Sequence, residues 1–409
     1  HSDTEVVLTA FIQWGKNCLE KLNGMFAFIV YNKKTKEVFI ARDRFGIKPL
    51  YYFYLNEHTI AFASEIKQFS KLSCWSANLN RARAIDYLNW GQTDHTCETL
   101  FDGVYQVPAA NFCEFNLSSV PTELDFIPWY SINSKISQKN YDEAVKSFKD
   151  VFLSSVRYRL KADVPIGTCL SGGIDSSSIA CTINNLIDDD QRQVTFSSCS
   201  SDKKYDESEY VEAVINKCKN IHAHMIEINH EDFWDELANL IYHHDEPFLS
   251  PSVYAEWCIF KEVSKTDVKV TLDGHGADEL LIGYYTFFGP YLSGLLRQLR
   301  ILEYLKAVFS IRSMHGYSLG RLIAMSIRSF LPKKIKQYIL KLLGRPSTLP
   351  EWINKYALET QIQDIGMSDH NIENVSLDQL LRFSVPKQLK WCDRDSMAHS
   401  VESRVPFLD

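Results

Sequence analysis

Apolar and polar positions follow three successive patterns along the chain. Over 6–22 the apolar residues recur at helical spacing, behind Ser2-Asp3-Thr4-Glu5, which has the form of a capping box. Strand-like runs follow at 25–32, 37–42, 50–55 and 59–64, separated by polar turns such as Asn32-Lys33-Lys34-Thr35-Lys36. One helix followed by antiparallel strands predicts part of an α+β layer over 1–69. Residues 70–140 show neither period and are read as an irregular connection.

From 141 the pattern changes. Helical spacing over 141–159 leads into strand 164–170, helix 175–187, strand 193–199, helix 207–220, strand 224–229, helices 231–243 and 252–265, and strand 267–272. Strands such as Val268-Lys269-Val270-Thr271-Leu272, alternating with helices, predict an α/β doubly wound parallel sheet covered on both faces. Such sheets bind ligands outside the carboxyl ends of their strands, which selects the loops after 170, 199 and 272. Residues 286–345 are again helical in pattern and read as helices added to this core.

Composition narrows the class. With 409 residues, 45% hydrophobic, 23% charged and 13% aromatic, the chain is globular and long enough for two or three domains, which excludes collagen-like, disordered and disulfide-scaffold classes. A net charge of -7 speaks against a nucleic-acid partner. Ten cysteines without a CxxC or a metal-ligand spacing read as reduced thiols of a cytoplasmic protein. No apolar run approaches the ~18 residues of a membrane span. Charge is uneven, however: 286–345 carries eleven Lys/Arg and one acid, Glu303. Two readings stand there: contact with an anionic membrane surface or polyanion, and the solvated face of helices packed on the core.

Two loops carry chemistry. Leu170-Ser171-Gly172-Gly173-Ile174-Asp175-Ser176-Ser177 lies between a predicted strand and helix. Its glycines let backbone N–H groups approach an anion, the helix N-terminus adds partial positive charge, and Ser171, Ser176 and Ser177 offer hydroxyl donors. Asp175 would repel a phosphate unless a divalent cation joined them, which implies Mg²⁺. No Lys follows the glycines, so this is not a GxxxxGK loop. The second loop, Asp273-Gly274-His275-Gly276-Ala277-Asp278-Glu279, follows the strand ending at Leu272. Its glycines again permit close backbone approach, and Asp278 is expected to share the cation with Asp175. For each loop alone the plain alternative is a capped turn with no ligand.

These two loops, with Asp393-Arg394-Asp395-Ser396-Met397-Ala398-His399 and Glu402-Ser403-Arg404-Val405-Pro406-Phe407-Leu408-Asp409, resemble the synthetase domain of glutamine-dependent asparagine synthetases. Leu22-Asn23-Gly24-Met25-Phe26-Ala27-Phe28 and Ala41-Arg42-Asp43-Arg44-Phe45-Gly46-Ile47-Lys48-Pro49-Leu50 resemble the later half of a class II glutaminase domain. The resemblance implies a partial glutaminase-type α+β layer over 1–69, a connection over 70–140 and an ATP-pyrophosphatase domain over 141–409. It also implies an ATP-dependent ligase: an acceptor carboxylate attacks the α-phosphate of ATP, and ammonia from glutamine, or free ammonia, displaces AMP. Leu170, Ser198, Asp273 and Gly274 match positions that contact ATP in the family. Asp175 and Asp278 match its Mg²⁺ ligands, and Asp3 matches the acid that holds the glutamine α-amino group. A homodimer is the expected assembly.

Departures limit the expectation. His1 aligns inside the glutaminase domain and the family's nucleophilic Cys has no counterpart; with the family's later helical region also missing after Asp409, the expected reading is a chain truncated at both ends. His275 stands where asparagine synthetases usually carry Glu, so it is a candidate catalytic or acceptor-selecting residue, with Asp278 beside it. Aspartate is the default acceptor, and a sugar uronate or peptide carboxylate is the alternative. A non-catalytic nucleotide-binding relative is disfavoured by intact Ser171, Gly172, Gly173, Asp175 and Asp278.

Overall fold

The computed structural model describes residues 2–409 apart from 133–138, 189–190, 201, 204–205, 230, 329, 332–334, 336–337, 339–364, 367 and 369–370. Part of the basic segment 286–345 therefore lies outside the described residues. The chain forms two compact units, one of 1–77, 103–275 and 388–409, the other of 78–102 and 276–387.

In the first unit, α1 (Asp3–Trp14) is capped by Ser2, whose Oγ accepts from Glu5 N at 3.4 Å. The helix expected over 6–22 stops early. Gly15 turns to φ +54, and the chain continues as a 3-10 turn, Gly15–Lys21. β1 (Ala27–Tyr31), β2 (Glu37–Arg42), β3 (Tyr51–Asn56) and β4 (Thr59–Ala63) follow close to the expected runs. Alternation on β2 sorts its side chains between two cores. Val38 and Ile40 face Tyr52 of β3, while Phe39 and Ala41 face Ala10 and Leu19 of the helical layer.

The segment 70–140, expected to be irregular, is not. It holds α2 (Arg81–Trp90), β5 (Val104–Gln106), β6 (Asn111–Asn116) and β7 (Ile127–Pro128). β6 pairs antiparallel with β2 in a sheet ordered β1-β2-β6-β7, and β5 completes a second sheet, β4-β3-β5. Phe112 and Cys113 of β6 are buried on opposite faces, so the strand lacks the apolar–polar alternation that marks a half-exposed one.

The same unit contains a five-stranded parallel sheet. Its strands are β8 (Ile166–Cys169), β9 (Gln193–Cys199), β10 (Ile221–Glu227), β11 (Val270–Leu272) and β12 (Glu402–Arg404), in the order β10-β9-β8-β11-β12. α3 (Tyr141–Arg159) and α4 (Ile174–Leu186) cover one face, where Val156, Ile179 and Ile183 meet Val270 and Leu272. On the other face Phe260 and Val263 of α7 (Ser252–Val263) pack with Phe196. α5 (Ser208–Lys217) and α6 (Phe233–His244) complete the alternation predicted from the sequence. Strand order reverses between β8 and β11, whose carboxyl ends open the crevice in which such sheets bind ligands.

Buried ion pairs join the antiparallel layers to this sheet. Lys48 Nζ reaches Asp393 Oδ1 at 2.9 Å, and Arg394 lies 3.4 Å from Asp245, whose carboxylate also accepts from Ile66 N and Lys67 N. Arg42 bonds the carbonyls of Gly46, Lys48 and Val107, holding the 42–50 segment against this seam.

The second unit is helical: α2, α8 (Ala277–Leu281), α9 (Phe288–Arg297), α10 (Ile301–His315), α11 (Leu319–Arg328) and α12 (Ile372–Asp378) among the described residues. Leu292, Val308, Ile311 and Leu322 form the shared core of α9, α10 and α11. α13 (Val385–Ala398) runs back into the first unit. No described helix is long and apolar enough to cross a membrane, and all ten cysteines are free thiols.

Candidate functional site

The loop after β8 is built by its own residues. Leu170 N extends the sheet pairing by donating to Phe196 O (2.8 Å), and the buried Leu170 side chain packs with Ala180 and Val211. Ser176 Oγ accepts from Ser171 N (3.1 Å) and lies 3.0 Å from Ser171 Oγ, which accepts from Gly173 N. Gly173 is the N-cap of α4 and supplies no side-chain acceptor, which leaves first-turn amides facing outward for an anion. Ser177 Oγ is buried with no partner.

Gly172 is required twice over. It sits at φ +82, and a Cβ there would lie 2.7 Å from the Cβ of Tyr210 on α5. Gly172→Ala is expected to cost about 1–3 kcal/mol in a urea titration. Gly173→Ala, at φ -65 and with only the Ser171 hydroxyl nearby, should stay within about 0.5 kcal/mol of the parent.

The loop after β11 meets the first loop at the point of strand reversal. A Cβ on Gly274 would stand 3.1 Å from Asp175 Cβ and 3.4 Å from Ser176 N, so the absent side chain lets the two loops touch. Asp273 is buried beneath them. Its N–H donates to Arg404 O at 2.8 Å, and its Oδ2 accepts from Thr271 Oγ1 (3.0 Å) and Ser403 Oγ. Ser403 in turn accepts from Cys392 Sγ at 3.1 Å. Burial and the Asp273 charge push the Cys169 thiol well up, and burial with nearby Glu256 does the same for Cys392. Both therefore remain neutral thiols, and the hydrogen bonds of Asp273 anchor the loop backbone.

His275 Nε2 lies 3.8 Å from Glu256 Oε1 on α7, and its Nδ1 is buried without a partner. Burial pushes the Glu256 carboxyl up, with His275 pulling it back. Ligand atoms of Glu256, His275 and Cys392 come within 4.8 Å of one another. The site residues to which the sequence reading assigned no role are Glu256, Thr271, Cys392 and Ser403. Glu256 had a signal: it falls on the helical stripe defined by Val253, Trp257 and Phe260, an acid among core positions. Thr271 and Cys392 had none, and Ser403 was marked only by its place in the Glu402–Asp409 motif.

Three further expected residues lie on other elements. Ser198 occupies the penultimate position of β9. Asp3 opens α1, where its Oδ1 accepts from Thr4 N at 2.8 Å. Asp278 belongs to the second unit, in the first turn of α8, and burial with neighbouring Glu279 raises its carboxyl. A Cβ on Gly283 would fall against its Oδ1 at 1.9 Å, so glycine there keeps the carboxylate's place.

With this geometry in view, comparison with known proteins is direct. The profile of the asparagine synthase family matches residues 147–409, and that of a glutamine amidotransferase domain matches 1–124. Asparagine synthetase (glutamine-hydrolyzing) 1 of Bacillus subtilis is 29% identical over 426 residues, covering 100% of this chain and 64% of that protein. A putative asparagine synthetase of Mycobacterium tuberculosis is 28% identical over 441 residues, covering 100% of this chain and 63% of its own. Amidase chry2 of Gibberella zeae is 28% identical over 312 residues, covering 72% of this chain and 45% of that protein. The chain thus spans less than two thirds of the length of these curated relatives. Sequence motifs, strand order and family profile agree: the chain belongs to the asparagine synthase family.

Proposed function

We propose that this chain provides the ATP-dependent carbon–nitrogen ligase activity of a glutamine-dependent amide synthesis. The observation that carries the reading is the contact of the Ser171–Ser177 loop with Gly274 at the strand reversal, beside Asp175. In this reading the acceptor carboxylate attacks the α-phosphorus, pyrophosphate leaves, and ammonia displaces AMP from the acyl-adenylate. The α4 amides and the Ser171, Ser176 and Ser177 hydroxyls hold the departing pyrophosphate as charge builds on it. Leu170, Ser198, Asp273 and Gly274 border the nucleotide mainly through backbone, and Asp273 keeps the second loop in register.

Mg²⁺ fits the hard carboxylate of Asp175 amid hydroxyl and amide donors, with Asp278 as the second ligand by family position. Bound there, it supplies neutralisation of the triphosphate charge. The protonated thiol of Cys392 makes the Glu256–His275–Cys392 group a poor fit for this ion. On the glutamine side, Asp3 is assigned the α-ammonium of the amide donor.

Aspartate is the first acceptor to test. His275 removes the usual loop carboxylate, yet Glu256 brings one to within 3.8 Å of the imidazole, so an acid able to pair with an amino-acid ammonium remains in the pocket. The relative named an amidase, together with His275, supports a second reading in which a sugar uronate or peptide carboxylate is amidated. AMP release with aspartate, compared with uronic-acid sugar nucleotides, separates the two in protein expressed from its full reading frame. Under the first reading Glu256→Gln lowers kcat/KM for aspartate by ~10- to 150-fold, the cost of one charged hydrogen bond. Turnover of the uronate alone, unaffected by Glu256→Gln, replaces the first reading by the second. No AMP release with any carboxylate ends both.

A further inference from the structure

α10 and α11 carry more apolar surface than their packing uses. Each contributes one stripe to the core around Leu292, Val308, Ile311 and Leu322, which is what an amphipathic helix needs to fold. Each also carries a second apolar stripe that is exposed. On α10, Leu302, Leu305 and Phe309 follow the i, i+3, i+7 spacing, and Leu302 is 77% and Phe309 61% exposed. On α11, Ile323 and Ile327 form the outer stripe, with Phe330 just beyond.

The corner between α9 and α10 departs from local rules in the same direction. Leu299 lies just past the end of α9 at φ 58, a position and conformation that favour glycine. Its side chain is 81% exposed, so packing returns nothing for the strain. A residue that breaks a backbone preference without a folding gain is a candidate for function.

Charge completes the pattern. Arg297, Lys306, Arg312, Arg321 and Arg328 share these helices with the apolar residues, and the lone acid of 286–345, Glu303, is bonded to Arg300. Arg297 stacks over Phe330, 4.9 Å from the ring centroid, which brings the Leu299 corner and the end of α11 together. Large apolar side chains spaced among arginines and lysines match the boundary between anionic headgroups and acyl chains.

We infer that the surface formed by the α9–α10 corner and the outer faces of α10 and α11 docks on an anionic lipid membrane, with Leu299, Leu302 and Phe309 inserting and the basic rim facing lipid phosphates. This surface goes beyond the ligase reading and does not rest on it.

Flotation of the full chain with phosphatidylcholine vesicles, with and without phosphatidylglycerol, at low and high salt, tests the inference. Binding is expected to phosphatidylglycerol-containing vesicles, weakening by about tenfold or more in high salt or without the anionic lipid. Leu299→Ser/Leu302→Ser/Phe309→Ser and, separately, Lys306→Glu/Arg312→Glu should each lose about tenfold or more of this binding while unfolding at the parent temperature. Equal recovery with both kinds of vesicle at both salts overturns the inference, as does undiminished binding by the serine variant. Retention of heparin that the serine changes leave intact, without vesicle binding, assigns the patch to a soluble polyanion instead. A dimer in sedimentation equilibrium that the serine changes dissociate, again without vesicle binding, assigns it to a second copy of the chain.

Discussion

Asp175→Asn is expected to abolish acceptor-dependent ATP–pyrophosphate exchange while leaving the protein folded. Asp175 lies in the first turn of α4, in the same loop as Ser171 and Ser176, with its Cβ against Gly274. Amides and hydroxyls suffice to bind an anion, but a carboxylate among them is repulsive toward a triphosphate unless a cation lies between. Asparagine preserves the shape and removes the charge that holds the cation. The exchange rate should fall by about 100-fold or more, the scale of losing one preorganised electrostatic group in a closed site. Parent-like exchange in a variant with parent-like unfolding would remove Asp175 from the proposed role.

The largest stability effect is expected at Lys390→Met. Lys390 Nζ on α13 pairs with Glu246 Oε2 at 2.5 Å, and the two side chains are only 9% and 2% exposed. Removing the ammonium takes a charge partner away from a carboxylate held in a largely buried site, which costs up to about 3–5 kcal/mol. Replacing both members, Lys390→Met/Glu246→Leu, should recover most of that loss, because an apolar pair of similar volume often matches a buried ion pair. Urea unfolding of the single and double variants measures both. A single variant within about 1 kcal/mol of the parent would mean that solvent reaches Glu246 and screens it.

Much of the parallel sheet was legible because burial on both faces leaves a strong signature. The runs 193–199 and 267–272 correspond to β9 and β11, and their alternation with helices left few topologies open. β12 was illegible for a physical reason. Glu402-Ser403-Arg404 has no apolar residue, and its side chains make polar contacts with residues distant in sequence. Ser403 bonds Asp273, while Arg404 donates to the carbonyls of Arg159 and Lys161. β6 was hidden by burial on both faces within six residues. The α1 boundary was misread because periodicity continues past Gly15, whereas the backbone does not.

For the candidate site, glycines told most. Gly172 and Gly274 each stand where a Cβ would press on a neighbouring element, and this need for space could be suspected from their place after predicted strands. What lies under the loops could not be. The chain Cys392–Ser403–Asp273–Thr271 runs through hydroxyls and a thiol, with Ser403 and Asp273 bonded across 130 positions, which no local pattern announces. Glu256 stood out only as an acid on an apolar stripe, a signal that acquires meaning once His275 is seen 3.8 Å away.

In the proposed reaction a carboxylate is activated as its acyl-adenylate. This activation is tested most directly by following oxygen from an isotopically labelled acceptor carboxylate during amide formation, in protein expressed from its full reading frame with ATP and ammonia. Activation as the acyl-adenylate puts one labelled oxygen in the phosphate of the AMP released and leaves the pyrophosphate unlabelled. Label in inorganic phosphate with ADP as co-product, or AMP free of label, would contradict it.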